Sequence, residues 1–324
     1  MATAPVQTRI TEMLGIEKPV IQAAMGWIAR APLSSAFSNA GGMGIIETSS
    51  GELDVIREEI LKMHDLTDKP FGVNVAQAFV RDPNIVDFII DQGIKFVTTS
   101  AGDPMKYTSM LKEAGLTVFH VVPSLQGALR AIEAGVDGLI VEGGEGGGFK
   151  NPKDVASMVL IPLVCEHVNV PVVAAGGITD GRSMAAAFAL GAEGVLMGTR
   201  ILSSEESPVH QNWKDAIFAA DATDTVFLNR SGPGPALRAL STERTERLLK
   251  EGVENIFGEF AGTQKVYFDG DLEAGIALTG QVAGRIHAVK PVAQILEETL
   301  AEYHEVVARL PKAATGLVFA VIYR

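Results

Sequence analysis

Two glycine-rich strand ends, Gly176-Gly177 in VVAAGGITDGR and Gly198-Thr199 in EGVLMGTR, carry the residue types that hold a phosphate. Glycines let backbone N–H groups approach phosphate oxygens, and the Thr199 hydroxyl adds a donor. In VIQAAMGWIA the small Ala23 and Ala24 and the Met25-Gly26 turn leave room for a flat ring, with plain strand-to-helix packing as the alternative. Asn74, at the end of PFGVN, offers an amide that both donates to and accepts from a heteroaromatic ring. VEGGEGGGFKNP supplies Glu142 as an acceptor, followed by a run over 143–148 whose glycines admit a planar ligand. Lys150, the nearest ionisable side chain in that loop, could bind an anion or, if desolvated, donate a proton; a solvated loop lysine is the plainer reading. His120 in TVFHVV is either a base or a packed strand residue.

These residues need a scaffold that gathers strand ends at one face. Short β-branched runs at 20–23, 44–47, 72–75, 96–100, 117–122, 138–142, 172–175 and 194–197 alternate with seven helical stretches, the pattern of successive βαβ units on a parallel sheet. An open doubly wound sheet alternates in the same way. Eight units, with the phosphate-type glycines at the seventh and eighth strand ends, favour an α/β TIM (β/α)8 barrel, in which ligands bind at the C-terminal ends of the strands.

The length of 324 residues suits one such barrel with appended helices. The reading divides it into a barrel over 1–204, a helical insertion or lid over 205–274, C-terminal helices over 275–310 that pack back on the barrel, and a tail over 311–324 without an assigned role. A formal charge of −12 argues against a polyanion-binding surface, so the expected partner is a small molecule and not a nucleic acid. The single Cys165 allows no intramolecular disulfide, and six scattered histidines without HExxH spacing give no metal site. Neither a signal-type N-terminus nor a long apolar run is present, which makes a cytoplasmic protein without a membrane span the expectation and leaves homo-oligomerisation open.

Taken in order, IQAAMGW, SNAGGMGII, PFGVN, VEGGEGGG, AAGGITDGR, ALGAEGVLMGTR and GDLEAGIALTGQVAG resemble the nitronate monooxygenase family, formerly called 2-nitropropane dioxygenases. The resemblance implies an FMN-containing TIM barrel, with flavin-dependent enoyl-acyl-carrier-protein reductases and NAD(P)H:quinone reductases as relatives. On that resemblance Ala23, Ala24 and Met25 look like the segment lining the flavin ring, Asn74 and Glu142 like ring contacts, and Gly147 like the residue beside the ring. Gly176, Gly177, Gly198 and Thr199 look like the FMN phosphate site, and Gly148 and Gln281 like substrate contacts.

One position departs from the family. The loop after the sixth strand commonly reads Gly-His there, and that histidine is associated with proton transfer; here it is Phe149, which cannot move a proton. A lysine found in some relatives near the end of the fifth strand is Val121 here, and His120 beside it faces the opposite side of a strand. The candidates for catalysis are therefore the Phe149 position itself, Lys150 and His120. A nitronate is already a carbanion equivalent, so the first reading is oxidation of alkyl nitronates with oxygen. The alternative is an NAD(P)H-dependent flavin reductase acting on an enoyl thioester or a quinone, with NAD(P)H as a transient co-substrate. A catalytically silent flavin-binding module and a non-flavin phosphate-binding barrel complete the alternatives.

Overall fold

The structure, a computed structural model, describes residues 5–232 and 234–311. Its strands are β1 (Val20–Gln22), β2 (Gly44–Ile46), β3 (Phe71–Ala76), β4 (Phe96–Ser100), β5 (Thr117–Val122), β6 (Gly138–Glu142), β7 (Gly148–Lys150), β8 (Val172–Ala175), β9 (Gly194–Met197), β10 (Thr225–Leu228) and β11 (Ala236–Leu240). The helices are α1 (Arg9–Leu14), α2 (Ala31–Asn39), α3 (Leu53–Leu66), α4 (Ile85–Asp91), α5 (Thr108–Glu113), α6 (Leu125–Glu133), α7 (Ser157–Cys165), α8 (Gly181–Ala189), α9 (Thr199–Leu202), α10 (Gln211–Ala219), α11 (Glu243–Glu251) and α12 (Val292–Arg309).

Eight strands form one parallel sheet in the order β1-β9-β8-β6-β5-β4-β3-β2. A parallel bridge between Ile21 and Met43 joins its two ends. There the Gln22 N–H donates to Met43 O at 3.0 Å and the Met43 N–H to Val20 O at 2.9 Å. The sheet is thus rolled into a (β/α)8 barrel, as the strand and glycine pattern predicts.

Alternation along each strand sorts the side chains into two layers. Ile21, Ile45, Phe96, Phe119, Ile140 and Val173 belong to the buried cluster inside the barrel, and Ile10 and Leu14 of α1 join it from the N-terminal end. Phe96 and Phe119 meet edge to face with centroids 5.1 Å apart. Gly72 and Gly138 make room for them: a Cβ at Gly138 would lie 2.5 Å from the Phe119 ring, and one at Gly72 2.6 Å from that of Phe96. The opposite strand faces pack under the helices with Val73, Val97, Val118 and Leu139. α12 lies across the start of α8, where the Gly181 N–H donates to Glu302 Oε2 at 3.0 Å.

The segment read as a helical insertion contains α10 and α11, but also a β-hairpin. β10 and β11 pair antiparallel, and β11 pairs in turn with β7, with Leu237 opposite Phe149 and Ala236 opposite Lys150. These strands are only four and five residues long and flank the SGPGP segment. Sequence periodicity is uninformative at such lengths, and pairing with β7 is a long-range contact. The expected tail lies outside the described residues apart from Pro311. Among the described residues no helix is long and apolar enough to cross a membrane, and none group in a way that could hold a metal ion.

Candidate active site

A cavity of about 910 Å³ opens at the C-terminal ends of the barrel strands. Ala23, Ala24 and Met25 enter its wall from the end of β1 and Asn74 from β3. Asn74 is 4% exposed, and its Nδ2 donates to Thr98 Oγ1 at 2.9 Å and to Ser100 Oγ at 3.3 Å, so the amide is fixed by β4. On the far side Gly176, Gly177, Gly198 and Thr199 also line the cavity. Gly176 and Gly177 adopt φ of +83° and +79°, a region favouring glycine. Gly280 closes on this side, its N–H donating to Thr199 Oγ1 at 2.9 Å.

The loop after β6 forms the third wall, and the lid hairpin holds it in place. Arg238 of β11 is buried and donates through Nε to Gly144 O at 2.7 Å. Glu145 accepts from the Ser157 N–H at 3.0 Å and from its hydroxyl at 2.9 Å, tying the loop to the start of α7. Phe149 and Lys150 follow one another on β7 and have different surroundings.

Lys150 is not a solvated loop residue: its side chain is 3% exposed. Its Nζ donates to Glu142 Oε1 at 2.5 Å, Gly147 O at 3.2 Å and Phe149 O at 3.1 Å. An ammonium has three N–H donors and all are engaged, so Lys150 fastens the loop to the carboxylate of Glu142. Phe149 joins a cluster of rings, with centroids 5.2 Å from Phe79, 6.2 Å from Phe257 and 5.4 Å from Phe260. The place of the family histidine is an apolar wall.

His120 lines the cavity and is 4% exposed. Val121 packs toward the barrel interior, and His120 on the opposite face meets Thr99 Oγ1 through Nδ1 at 2.6 Å. Burial lowers its pKa to about 4, outweighing the Asp103 charge and a hydrogen bond with the Gly102 backbone, which raise it. It is a packed strand histidine whose buried ring is held by Thr99. An unfolded histidine titrates near 6.5, so from there down to about 4 the unfolded chain binds a proton that the folded one does not. Stability is therefore expected to fall by about 3 kcal/mol as pH drops through this window. Denaturant melts of His120→Gln should show a flatter dependence on pH there; a slope equal to that of the wild type would mean that folded His120 takes up its proton normally.

Gln281 is absent from the cavity wall. It opens a 3-10 turn, and its N–H donates to Glu145 O at 3.0 Å, while Leu278 and Val282 of the same segment line the cavity. Gly147 and Gly148 do line the cavity. A Cβ on Gly147 would come within 2.8 Å of the Gly280 nitrogen, which accounts for a glycine there by close backbone approach. Sequence reasoning passed over Trp213, Tyr267 and Phe257, which line the cavity from the lid segment. Their only sequence signal is aromatic character in a region without a motif.

Side chains and backbone groups from most of the strand ends thus converge on one apolar cavity with a glycine cradle, the arrangement of a barrel oxidoreductase. The nitronate monooxygenase family model matches residues 7–84 and 76–302, and the chain belongs to that family. Members of this family are flavoproteins. FabK from Thermotoga maritima is 41% identical, with a TM-score of 0.89 over 94% of this chain and 98% of that one. A (3aS,4S,5R,7aS)-5-hydroxy-7a-methyl-1-oxo-octahydro-1H-indene-4-carboxyl-CoA dehydrogenase of Rhodococcus jostii is 37% identical over 76% of this chain and 69% of its own length. A probable nitronate monooxygenase of Staphylococcus saprophyticus is 33% identical over 68% of this chain and 75% of its own. The protein is an oxidoreductase.

Proposed function

We propose that this protein is an FMN-dependent oxidoreductase that reduces the α,β double bond of an acyl thioester carrying a bulky apolar group, with NAD(P)H as reductant. The carrying observation is the cavity wall of Phe149, Phe79 and Phe257, with Phe260 stacked on Phe149. The charged side chains that line the cavity are paired with one another: Lys150 with Glu142 at 2.5 Å, and Arg130 with Asp103 at 2.6 Å. A small nitronate anion would meet no unpaired cation among these residues, whereas a neutral acyl chain gains by burying apolar surface against the rings. The CoA thioester named for the Rhodococcus jostii relative points the same way.

The cradle fits FMN. Gly176, Gly177, Gly198 and Thr199 would hold its phosphate by backbone N–H groups and one hydroxyl, with no side chain in the way at the three glycines. Ala23, Ala24 and Met25 would lie against the ring, with Asn74, Glu142 and Gly147 at its edges. Bound flavin supplies hydride transfer. The protein binds and orients the acyl group, and its phenylalanine wall keeps water from the reacting carbons.

Anaerobic mixing with NAD(P)H followed by a 2-enoyl-CoA tests this reading. The visible flavin band should bleach with NAD(P)H and return with the thioester. A band that persists with NAD(P)H and bleaches only with an alkyl nitronate overturns it in favour of nitronate oxidation. That second reading draws on Phe149 itself, because a nitronate needs no proton abstracted. If it holds, Phe149→His is expected to add turnover of neutral nitroalkanes without changing flavin content.

A further inference from the structure

Reduction of an enoyl thioester requires a proton at the α-carbon, and Phe149 cannot provide one. The titratable side chains that line the cavity are Asp103, His120, Arg130, Glu142, Lys150 and Tyr267. Five of them already have partners. Glu142 and Lys150 hold each other, as do Asp103 and Arg130. His120 is held by Thr99 and by the Gly102 backbone. The Tyr267 hydroxyl alone has no hydrogen-bond partner among the described residues.

Tyr267 is 4% exposed, and a buried phenol ordinarily finds a partner. Its ring is fixed: Trp213 stacks on it with centroids 4.8 Å apart and planes 26° apart, and the Trp213 Nε1–H donates to Thr279 Oγ1 at 3.1 Å. The residue sits in a π-helical turn, Lys265–Asp269, a rare geometry that recurs at functional sites. We propose that Tyr267 is the proton donor of the reaction, a role that Phe149 cannot fill.

This rests on the acyl-thioester reading. As a hydride originating from NAD(P)H reaches the β-carbon, the alkene is reduced and NAD(P)H is oxidised. The π electron pair moves onto the α-carbon, where a C–H bond forms as the Tyr267 O–H bond breaks, and solvent returns a proton to the phenolate. Burial pushes the phenol above its ordinary pKa, with the Glu47 charge adding to the effect, so it is protonated at working pH.

The test is Tyr267→Phe in the flavin-loaded protein, assayed with cinnamoyl-CoA and with a para-quinone. A quinone takes up its protons on oxygen and needs no donor to carbon. General-acid loss should lower enoyl-CoA turnover by about 100-fold or more while quinone turnover stays within about twofold. In D2O the wild type should place deuterium on one face of the α-carbon, and any residual product of the variant should be labelled on both. Among the described residues the hydroxyl has no partner to lose, so the melting temperature should not change. Unchanged enoyl-CoA turnover with single-face labelling overturns the proposal alone. Equal loss of quinone turnover also overturns it, since Tyr267 would then serve the cofactor. A wild type inert toward every enoyl thioester overturns the acyl-thioester reading and this proposal with it.

Discussion

Gly177→Asp and Gly198→Asp are each expected to purify without flavin. At Gly177 the backbone stands at φ +79°, and an added Cβ would lie 3.9 Å from the Cβ and carboxyl of Glu145. A new carboxylate there would face both Glu145 and the cofactor phosphate. At Gly198 φ is −107°, and an added Cβ would make ordinary contact with the Ala23 Cβ at 3.5 Å. Steric strain is therefore small at Gly198, and charge decides the outcome. Two like charges about 4 Å apart repel by about 4 kcal/mol at an effective dielectric of 20, about a thousandfold in Kd. Gly198→Ala is the control and should keep its flavin. The ratio of visible to ultraviolet absorbance after purification reads the result, and full flavin content in both Asp variants would remove the phosphate from this cradle.

Lys150→Met should destabilise the fold by about 2 kcal/mol, because it removes the buried partner of a part-buried ion pair and leaves the Glu142 charge uncompensated. Glu142, Gly147 O and Phe149 O would all lose their donor at once. The loop over 146–149 forms one wall of the cavity, so flavin content should fall together with stability. Glu142→Gln combined with Lys150→Met removes both charges and should recover part of the loss. Denaturant melts of the four proteins give the coupling directly. Additive effects of the two substitutions would mean that the ion pair is not what holds the loop.

Both expectations start from residues visible in the sequence, but to different depths. The cradle was legible because it is local. Gly176-Gly177 and Gly198-Thr199 are adjacent pairs that end strands marked by their own β-branched runs, and barrel closure brings them to one face whatever the lid does. Lys150 was legible only as an ionisable side chain in a glycine-rich loop. Its burial follows from β7 pairing with β11, across a long stretch of chain. The same pairing placed Leu237 opposite Phe149 and put strands in a segment that reads as helical.

By itself, then, the sequence determined the eight-strand alternation, the glycine pairs at strand ends and the loss of the family histidine at Phe149, because each is carried by neighbouring residues and by a period of two or of three to four. The tertiary structure alone decided which charges neutralise each other, that His120 is buried against Thr99, that Gln281 stands outside the cavity wall, and that Tyr267 lines it with a hydroxyl that has no partner among the described residues. Those properties depend on desolvation and on partners distant in sequence, and neither is set until the lid has packed onto the barrel.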